Sequence, residues 1–413
     1  MTGFGADLMA RLDAFAGFTE EPGLLTRLFL TTQHRAAADW LMELMGKAGM
    51  NARLDPAGTV VGRYEGTVPG APALLIGSHI DTVRNAGKYD GNLGVLAAVA
   101  AVAELDRRGE RLPFAIEVLG FGDEEGVRFP VTLTGSRAVA GRFDRAALET
   151  RDRDGVRMAD ALRAFGGDPE AIAAAARKPG DALAFLEVHI EQGPVLEAEG
   201  LPVGIVTAIN GATRFAVRLR GMAGHAGTVP MALRRDALAA AAEMTLAAER
   251  VAAASDAGLV ATVGRIEAKP GAVNVIPGEA AFTLDVRAPE DAVRRDACAT
   301  ILGAFEEIAA RRGVELAVET THDAAAAPCS PGIRRQIEAA VTRAGVRPLS
   351  LPSGAGHDAM AFAGVLPMGM LFVRCAGGIS HNPAESITVE DADRSVQILL
   401  DIIRHFEHET PTP

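Results

Sequence analysis

Residues 73–122 hold two short apolar runs, at 73–77 and 114–122, separated by an alanine-rich segment at 94–107. Apolar runs of that length, bounded by glycine and polar residues, suit buried strands, and the segment between them has the length of a helix. Strand, helix, strand at this spacing implies a βαβ unit and a mainly parallel sheet, which leaves few ways to fold the chain. Sheets of that kind bind ligands at the carboxyl ends of their strands. The first run ends in GSHIDTVRNAGKYDG, which sets His79, Asp81 and Asp90 at a strand mouth, and the second ends in GDEEG, with Glu124 and Glu125. The glycines from Gly91 to Gly94 read as a tight turn into the helix.

Elsewhere, residues 32–49 have the spacing of an amphipathic helix around Trp40. From about Gly211 the texture changes. TRFAVRLR at 213–220 alternates polar and apolar, the period of a half-exposed strand. An alanine-rich helix at 234–254, strands at 259–267 and 280–287, and a helix at 291–312 follow. From His322, HDAAAAPCSPG reads as a linker, and after it the first texture returns. The expected fold is α/β: a mainly parallel-sheet domain from residues 1–210 and 328–413, with a small α+β domain, 211–327, inserted into it. No internal repeat is evident.

A chain of 413 residues exceeds one ordinary core, which agrees with two domains. Its net charge of −12 argues against a nucleic-acid partner, which wants a basic face. Cys298, Cys329 and Cys375 form no CxxC pair, which suits a reducing compartment. The start, MTGFGADLMARLDAF, has no basic leader followed by an apolar stretch, so no signal peptide is expected. The longest apolar run, 94–103, is too short to span a bilayer. These features predict a cytoplasmic protein with neither membrane nor nucleic acid as partner.

Of nine histidines, four stand in unusual settings: His79 in GSHID, His189 in EVHIEQGP, His225 in GMAGHAGTVP and His381 in ISHNPAES. Imidazole and carboxylate are ligands that suit Zn²⁺ and its neighbours. A hydrolytic two-metal site needs a bridging carboxylate, further ligands on each ion and a base near the water. Taken singly, a loop histidine is usually a solvated side chain, and adjacent glutamates are usually a surface pair. Three apolar strand ends, the third at 185–188 before His189, all terminate in ligand-type residues, which argues against that reading here. His34, His322, His405 and His408 read as ordinary surface histidines.

GSHIDTVRNAGKYDG, GDEEGVRFP, GSRAVAG, EVHIEQGPVLE, GHAGTVPM, NVIPG with DVRAPED, SGAGHDAM and SHNPAES stand in this order along the chain. Together they resemble the di-metal amidase branch of the aminoacylase and carboxypeptidase clan. That branch holds N-carbamoyl-L-amino acid hydrolases, allantoate and ureidoglycolate amidohydrolases and β-ureidopropionase-type enzymes. The resemblance implies two divalent ions per subunit, Zn²⁺ or Mn²⁺. His79 and His189 would hold one, Glu125 and His381 the other, and Asp90 would bridge them. Asp81 would be a carboxylate behind His79 that sets its tautomer, and Glu124 the general base. Peptidase relatives generally place a carboxylate where this chain has His189, which points to the amidase branch.

The resemblance further implies that Gln192, Asn274 and Arg287 contact the substrate, the arginine through a planar fork matched to a carboxylate. The backbone N–H groups of Gly354, Ala355 and Gly356 would approach the same group closely, with His357 and Asp358 stabilising their loop. The inserted domain would act as a lid and dimerisation domain. It would pair with its copy in a homodimer and carry His225 into the partner's active site, to stabilise charge on the carbonyl oxygen. The expected activity is hydrolysis of a ureido group on a small carboxylate, with release of ammonia and then carbon dioxide. The allantoate type is expected first and N-carbamoyl-L-amino acid hydrolase is the alternative. A metallo-dipeptidase follows, and last a non-catalytic metal-binding scaffold, which the presence of Glu124 disfavours.

Overall fold

The computed structural model describes residues 3–408 and divides the chain into two compact units. The first comprises the residues up to Thr207, Cys329–Leu351 and those from Gly356 onward; the second comprises Ala208–Pro328 and Pro352–Ala355. Along the chain come β1 (Asn51–Leu54), β2 (Val60–Tyr64), β3 (Ala73–His79), β4 (Ala115–Phe121), β5 (Ala182–Ile190) and β6 (Val203–Ile209). The second unit adds β7 (Gly211–Arg220), β8 (Gly224–His225), β9 (Val260–Thr262), β10 (Ile266–Lys269), β11 (Val275–Ile276), β12 (Glu279–Ala288) and β13 (Glu315–Ala324). The first then resumes with β14 (Met368–Val373).

In the first unit the strands lie in the order β1-β2-β4-β3-β5-β14-β6. The four central strands, β4, β3, β5 and β14, are mutually parallel, and antiparallel strands flank them on both sides. Every residue of β3 and β4 is buried, as expected of strands covered on both faces. The helices of this unit include α1 (Gly5–Ala16), α2 (Thr32–Lys47) and α3 (Asn92–Arg107), with two more at Pro331–Arg343 and Val389–Arg404. Helix α3, the βαβ crossover, buries Leu93, Val95, Leu96, Val99 and Val102 among the alanines. It lies so close to β5 that a Cβ on Gly94 would fall 2.0 Å from the Val188 carbonyl oxygen. Gly94 therefore serves helix–strand packing rather than a turn. Only Gly91, at φ 66°, has the left-handed backbone that the turn requires.

The second unit has an antiparallel sheet in the order β10-β12-β7-β13, with β9 also on β12. Phe215, Val217, Leu219, Phe282, Leu284 and Val286 form its core with Met244 of helix Ala237–Ala253 and Ile301 and Phe305 of helix Asp291–Arg312. The opposite residues of β7 and β12 are more open, as the alternation predicts. Two expectations need correction here. The strand expected at 259–267 is two strands, β9 and β10, separated by residues 263–265. The linker expected from His322 begins inside β13, an exposed strand whose second half, ETTHDA, carries no apolar alternation.

Candidate metal centre and active site

The carboxyl ends of the four parallel strands deliver the chemistry. His79 is the last residue of β3, His189 is the penultimate residue of β5, Glu124 and Glu125 follow β4, and His381 follows β14. Asp90 reaches the same place from the loop before α3. A Cβ on Gly91 would lie 2.5 Å from the His79 ring, so that loop can pass the imidazole only as glycine. Asp123, Gln192 and His381 all take left-handed backbone, at φ 67°, 57° and 53°, beside the proposed ligands. Non-glycine residues in that region are costly and concentrate at functional sites.

Asp90 is the centre of the cluster. Its Oδ1 lies 3.4 Å from His79 Nε2 and 3.1 Å from His189 Nε2. Its Oδ2 lies 3.2 Å from His381 Nε2, which is in turn 3.5 Å from Glu125 Oε2. Two donor sets thus share one carboxylate, His79–Asp90–His189 and Asp90–Glu125–His381, each with its ligand atoms within 4.8 Å of one another. Glu124 Oε2 stands 3.9 Å from His79 Nε2.

The hydrogen bonds around the imidazoles test whether a cation fits. His79 Nδ1 is 3.0 Å from the Asp81 carbonyl and His189 Nδ1 is 2.9 Å from the Ile190 carbonyl. A carbonyl only accepts, so both Nδ1 atoms carry the proton. In the neutral rings, both Nε2 lone pairs then face the anionic Asp90, and the buried Nε2 of His189 meets no hydrogen-bond donor or acceptor in proper alignment. A proton on each Nε2 relieves that repulsion, and despite burial the hydrogen bond to Asp90 raises both imidazoles above their usual range; a cation held by imidazole and carboxylate relieves it equally, so the donor set fits a divalent ion. The surroundings say the same. Asp81, Asp123, Glu187 and Asp358 are buried within or behind the cluster, and burial pushes the carboxyls of Asp123, Glu124 and Asp358 well above the usual range. Burial and the charge of Asp90 raise Glu125 to about 7. The hydrogen bond to Asp90 raises His381 to about 9.

Some residues occupy places other than those expected. It is the main-chain carbonyl of Asp81, not its carboxylate, that holds the His79 tautomer, because the carboxylate turns to the N–H groups of Glu124 and Glu125, at 3.3 and 3.4 Å. Gln192 donates its amide to Asp90 Oδ2, at 2.9 Å, and to Ser380 Oγ, at 3.1 Å, which leaves only its buried Oε1 unpaired. His357 sets its ring edge-on to His189 at 4.4 Å, so it contacts the cluster as well as its own loop. His34 is fully buried, contrary to its reading as a surface residue, with its ring stacked on Phe165 at 4.9 Å and its Nδ1 accepting from the Leu30 N–H. His322, His405 and His408 are exposed.

The remaining expected residues belong to the second unit. His225 is exposed and pairs with Val275 across the β8–β11 ribbon, beside Asn274, whose carbonyl accepts the Ala226 N–H. Arg287 gives its Nε and Nη2 to the two oxygens of Asp285, at 3.0 and 2.9 Å, and its Nη1 to the Gly354 carbonyl at 2.6 Å. The fork edge expected for a substrate carboxylate is therefore taken, and a ligand can use only the outer Nη edge. The Ala355 N–H donates to Ser353 Oγ, at 3.2 Å, in a local turn, so it is not free to meet a carboxylate.

Sequence reasoning missed Arg27. This fully buried side chain donates to the Ile80 carbonyl (2.6 Å), the Phe15 carbonyl (2.8 Å) and Asn92 Oδ1 (2.7 Å), and so pins both ends of the loop that follows His79 and carries Asp90. Burial lowers its pKa to about 9, against the pull of Asp81. Nothing in its local sequence, LLTRLFL, marks it apart from a surface arginine.

The profile of Peptidase family M20/M25/M40 matches residues 75–405. The chain is 43% identical to the N-carbamoyl-L-amino acid amidohydrolase of Geobacillus stearothermophilus, over 96% of this chain and 97% of that one. It is 41% identical to a probable allantoate deiminase of Oryza sativa subsp. japonica, over 93% and 85%. Its fold superposes with a TM-score of 0.91 on an amidase of the hydantoinase/carbamoylase family from Burkholderia multivorans, 33% identical and covering 97% of both chains. With a strand-end cluster of this composition and likeness over nearly its whole length, the chain belongs to peptidase family M20/M25/M40.

Proposed function

We propose that the chain is a metal-dependent amidohydrolase that cleaves a ureido C–N bond of a small carboxylate. Allantoate is the first substrate type and N-carbamoyl-L-amino acids are the second. The observation that carries this reading is Asp90, whose two oxygens face two separate histidine-containing donor sets. His79 and His189 would hold one divalent ion, and Glu125 and His381 the other, with Asp90 shared between them. Zn²⁺ and Mn²⁺ both suit these donors. When bound, the ions supply Lewis acidity to the scissile carbonyl and to water. Glu124 takes the proton of the attacking water and delivers it to the leaving nitrogen. Asp81 holds the backbone of Glu124 and Glu125, and so sets which carboxylate faces the base position.

The second unit supplies substrate recognition in this reading, through the outer edge of Arg287 and through Asn274. Around His225 it exposes Met222, Met231, Leu233 and Val273, with Met231 77% and Val273 103% exposed. Apolar side chains so open suit a surface that a second copy covers, and the dimer would bring His225 to the partner's active site. Among the described residues no helix is long and apolar enough to cross a membrane, and three unpaired cysteines suit the cytoplasm. The relatives carry names for both ureido substrates, so neither substrate is preferred by likeness alone. Ammonia release from allantoate and a panel of N-carbamoyl-L-amino acids, beside amino-acid release from simple dipeptides, all with Mn²⁺ or Zn²⁺ supplied, tests the reading. Turnover of at least one ureido carboxylate is expected. Cleavage of dipeptides alone would replace the amidase reading with a peptidase.

A further inference from the structure

Glu385 stands four residues past His381 in SHNPAES, and no part of the chemistry above uses it. Its side chain is only 3% exposed. Oε1 accepts the backbone N–H groups of Tyr89 and Asp90, at 2.8 and 3.1 Å. Oε2 lies 2.9 Å from Ser380 Oγ, which is itself 3.0 Å from Asp90 Oδ2. One carboxylate therefore grips the main chain of Asp90 and the residue before His381 at once. A separate feature points to the same side chain. A Cβ on Gly87 would lie 2.3 Å from the Cβ, Cδ and Oε1 atoms of Glu385, although Gly87 is absent from the left-handed backbone positions. Glycine at 87 is thus explained by room for Glu385 and not by a turn.

We infer that Glu385 is a positioning residue that sets Asp90 Oδ2 against His381, and so presets the ion site formed by Asp90, Glu125 and His381. This rests on the two-ion reading proposed above. Ser380 has one hydroxyl proton for two carboxylates, and Gln192 donates to both Ser380 Oγ and Asp90 Oδ2. The bracket therefore closes on the Oδ2 side. The Oδ1 side, facing His79 and His189, has no link to Glu385 other than the shared backbone of Asp90. Partners that orient metal ligands typically account for about 10–100-fold in metal affinity.

The test is Zn²⁺ binding to metal-free protein, measured by competition with a chromophoric chelator, together with thermal melting. Glu385→Ala should weaken the second ion about 10–100-fold and leave the first nearly unchanged. Glu385→Gln keeps an acceptor for both N–H groups and should restore most of that loss. Gly87→Ala should act in the direction of Glu385→Ala. Should Glu385→Ala fail to fold, Ser380→Ala removes the hydroxyl shared by Asp90, Glu385 and Gln192 while keeping the Glu385 grip on the Asp90 backbone, and should still weaken the second ion selectively. Two ions bound as in the parent, or both weakened equally alongside a lower melting temperature, overturn the assignment alone. A parent chain that binds fewer than two ions overturns the two-ion reading, and this assignment with it.

Discussion

His34 yields a prediction whose size follows from its surroundings. It is fully buried in α2, between Phe29 and Phe165, and its Nε2 meets no partner. Burial, with Arg27 and Arg128 nearby, lowers its pKa from 6.5 to about 3. It also packs against the loop that carries Glu124 and Glu125, since a Cβ on Gly122 would meet the Phe29 ring at 2.5 Å and His34 Cε1 at 2.9 Å. The fold favours the neutral ring, so its contribution is complete above pH 6.5 and is lost as pH falls toward 3. At about 1.4 kcal/mol per pH unit, moving from pH 7 to pH 5 removes about 2 kcal/mol through this residue. In His34→Asn the side-chain carbonyl can still accept from Leu30, but nothing titrates. The single tryptophan, Trp40, lies in the same helix with its ring 5.3 Å from Phe15, and reports unfolding there by fluorescence. Urea titrations at pH 7 and pH 5 should show a stability loss about 2 kcal/mol smaller in the variant, whatever its stability at pH 7. An equal loss in both proteins would mean that His34 is not held neutral, and would refute the reasoning.

Three further outcomes are expected. Glu124→Gln should keep its metal content and lose about 10²–10⁴-fold in kcat, whereas loss of an ion with activity retained would exchange the roles of Glu124 and Glu125. Arg287→Lys should raise KM for carboxylate substrates strongly, because an ammonium cannot keep both Asp285 and a ligand on a planar fork; an unchanged KM removes Arg287 from the site. Mixing inactive His225→Ala and Glu124→Gln homodimers should restore about a quarter of normal turnover, since random exchange makes about half the dimers mixed, each with one complete site. No recovery after exchange confirmed by mass would place His225 outside the partner's chemistry.

How far the sequence carries can be seen residue by residue. Strands β3 and β4 and helix α3 were legible because burial on both faces leaves continuous apolar runs. The second half of edge strand β13, ETTHDA, was not, since an exposed strand needs no apolar side chain. Ligand-type residues stood out as polar ends of apolar strands, and the structure brings His79, Asp90, Glu125, His189 and His381 together. What each polar group bonds to was hidden. Whether Asp81 meets His79 by carbonyl or carboxylate, and whether the Arg287 fork is free or held by Asp285, depend on loop paths that spacing does not encode. The burial of His34 comes from Phe165, far along the chain, which its polar neighbours TTQ could not announce.

The central claim is that Asp90 joins two ion sites into one hydrolytic centre. Native mass spectrometry of metal-free protein titrated with Zn²⁺ or Mn²⁺, with ureido turnover followed on the same samples, tests it most directly. The account predicts two ions per chain, turnover that rises with their uptake, and loss of both ions in Asp90→Asn. Full turnover in protein stripped of metal, or an Asp90→Asn variant that binds two ions as the parent does, would contradict it.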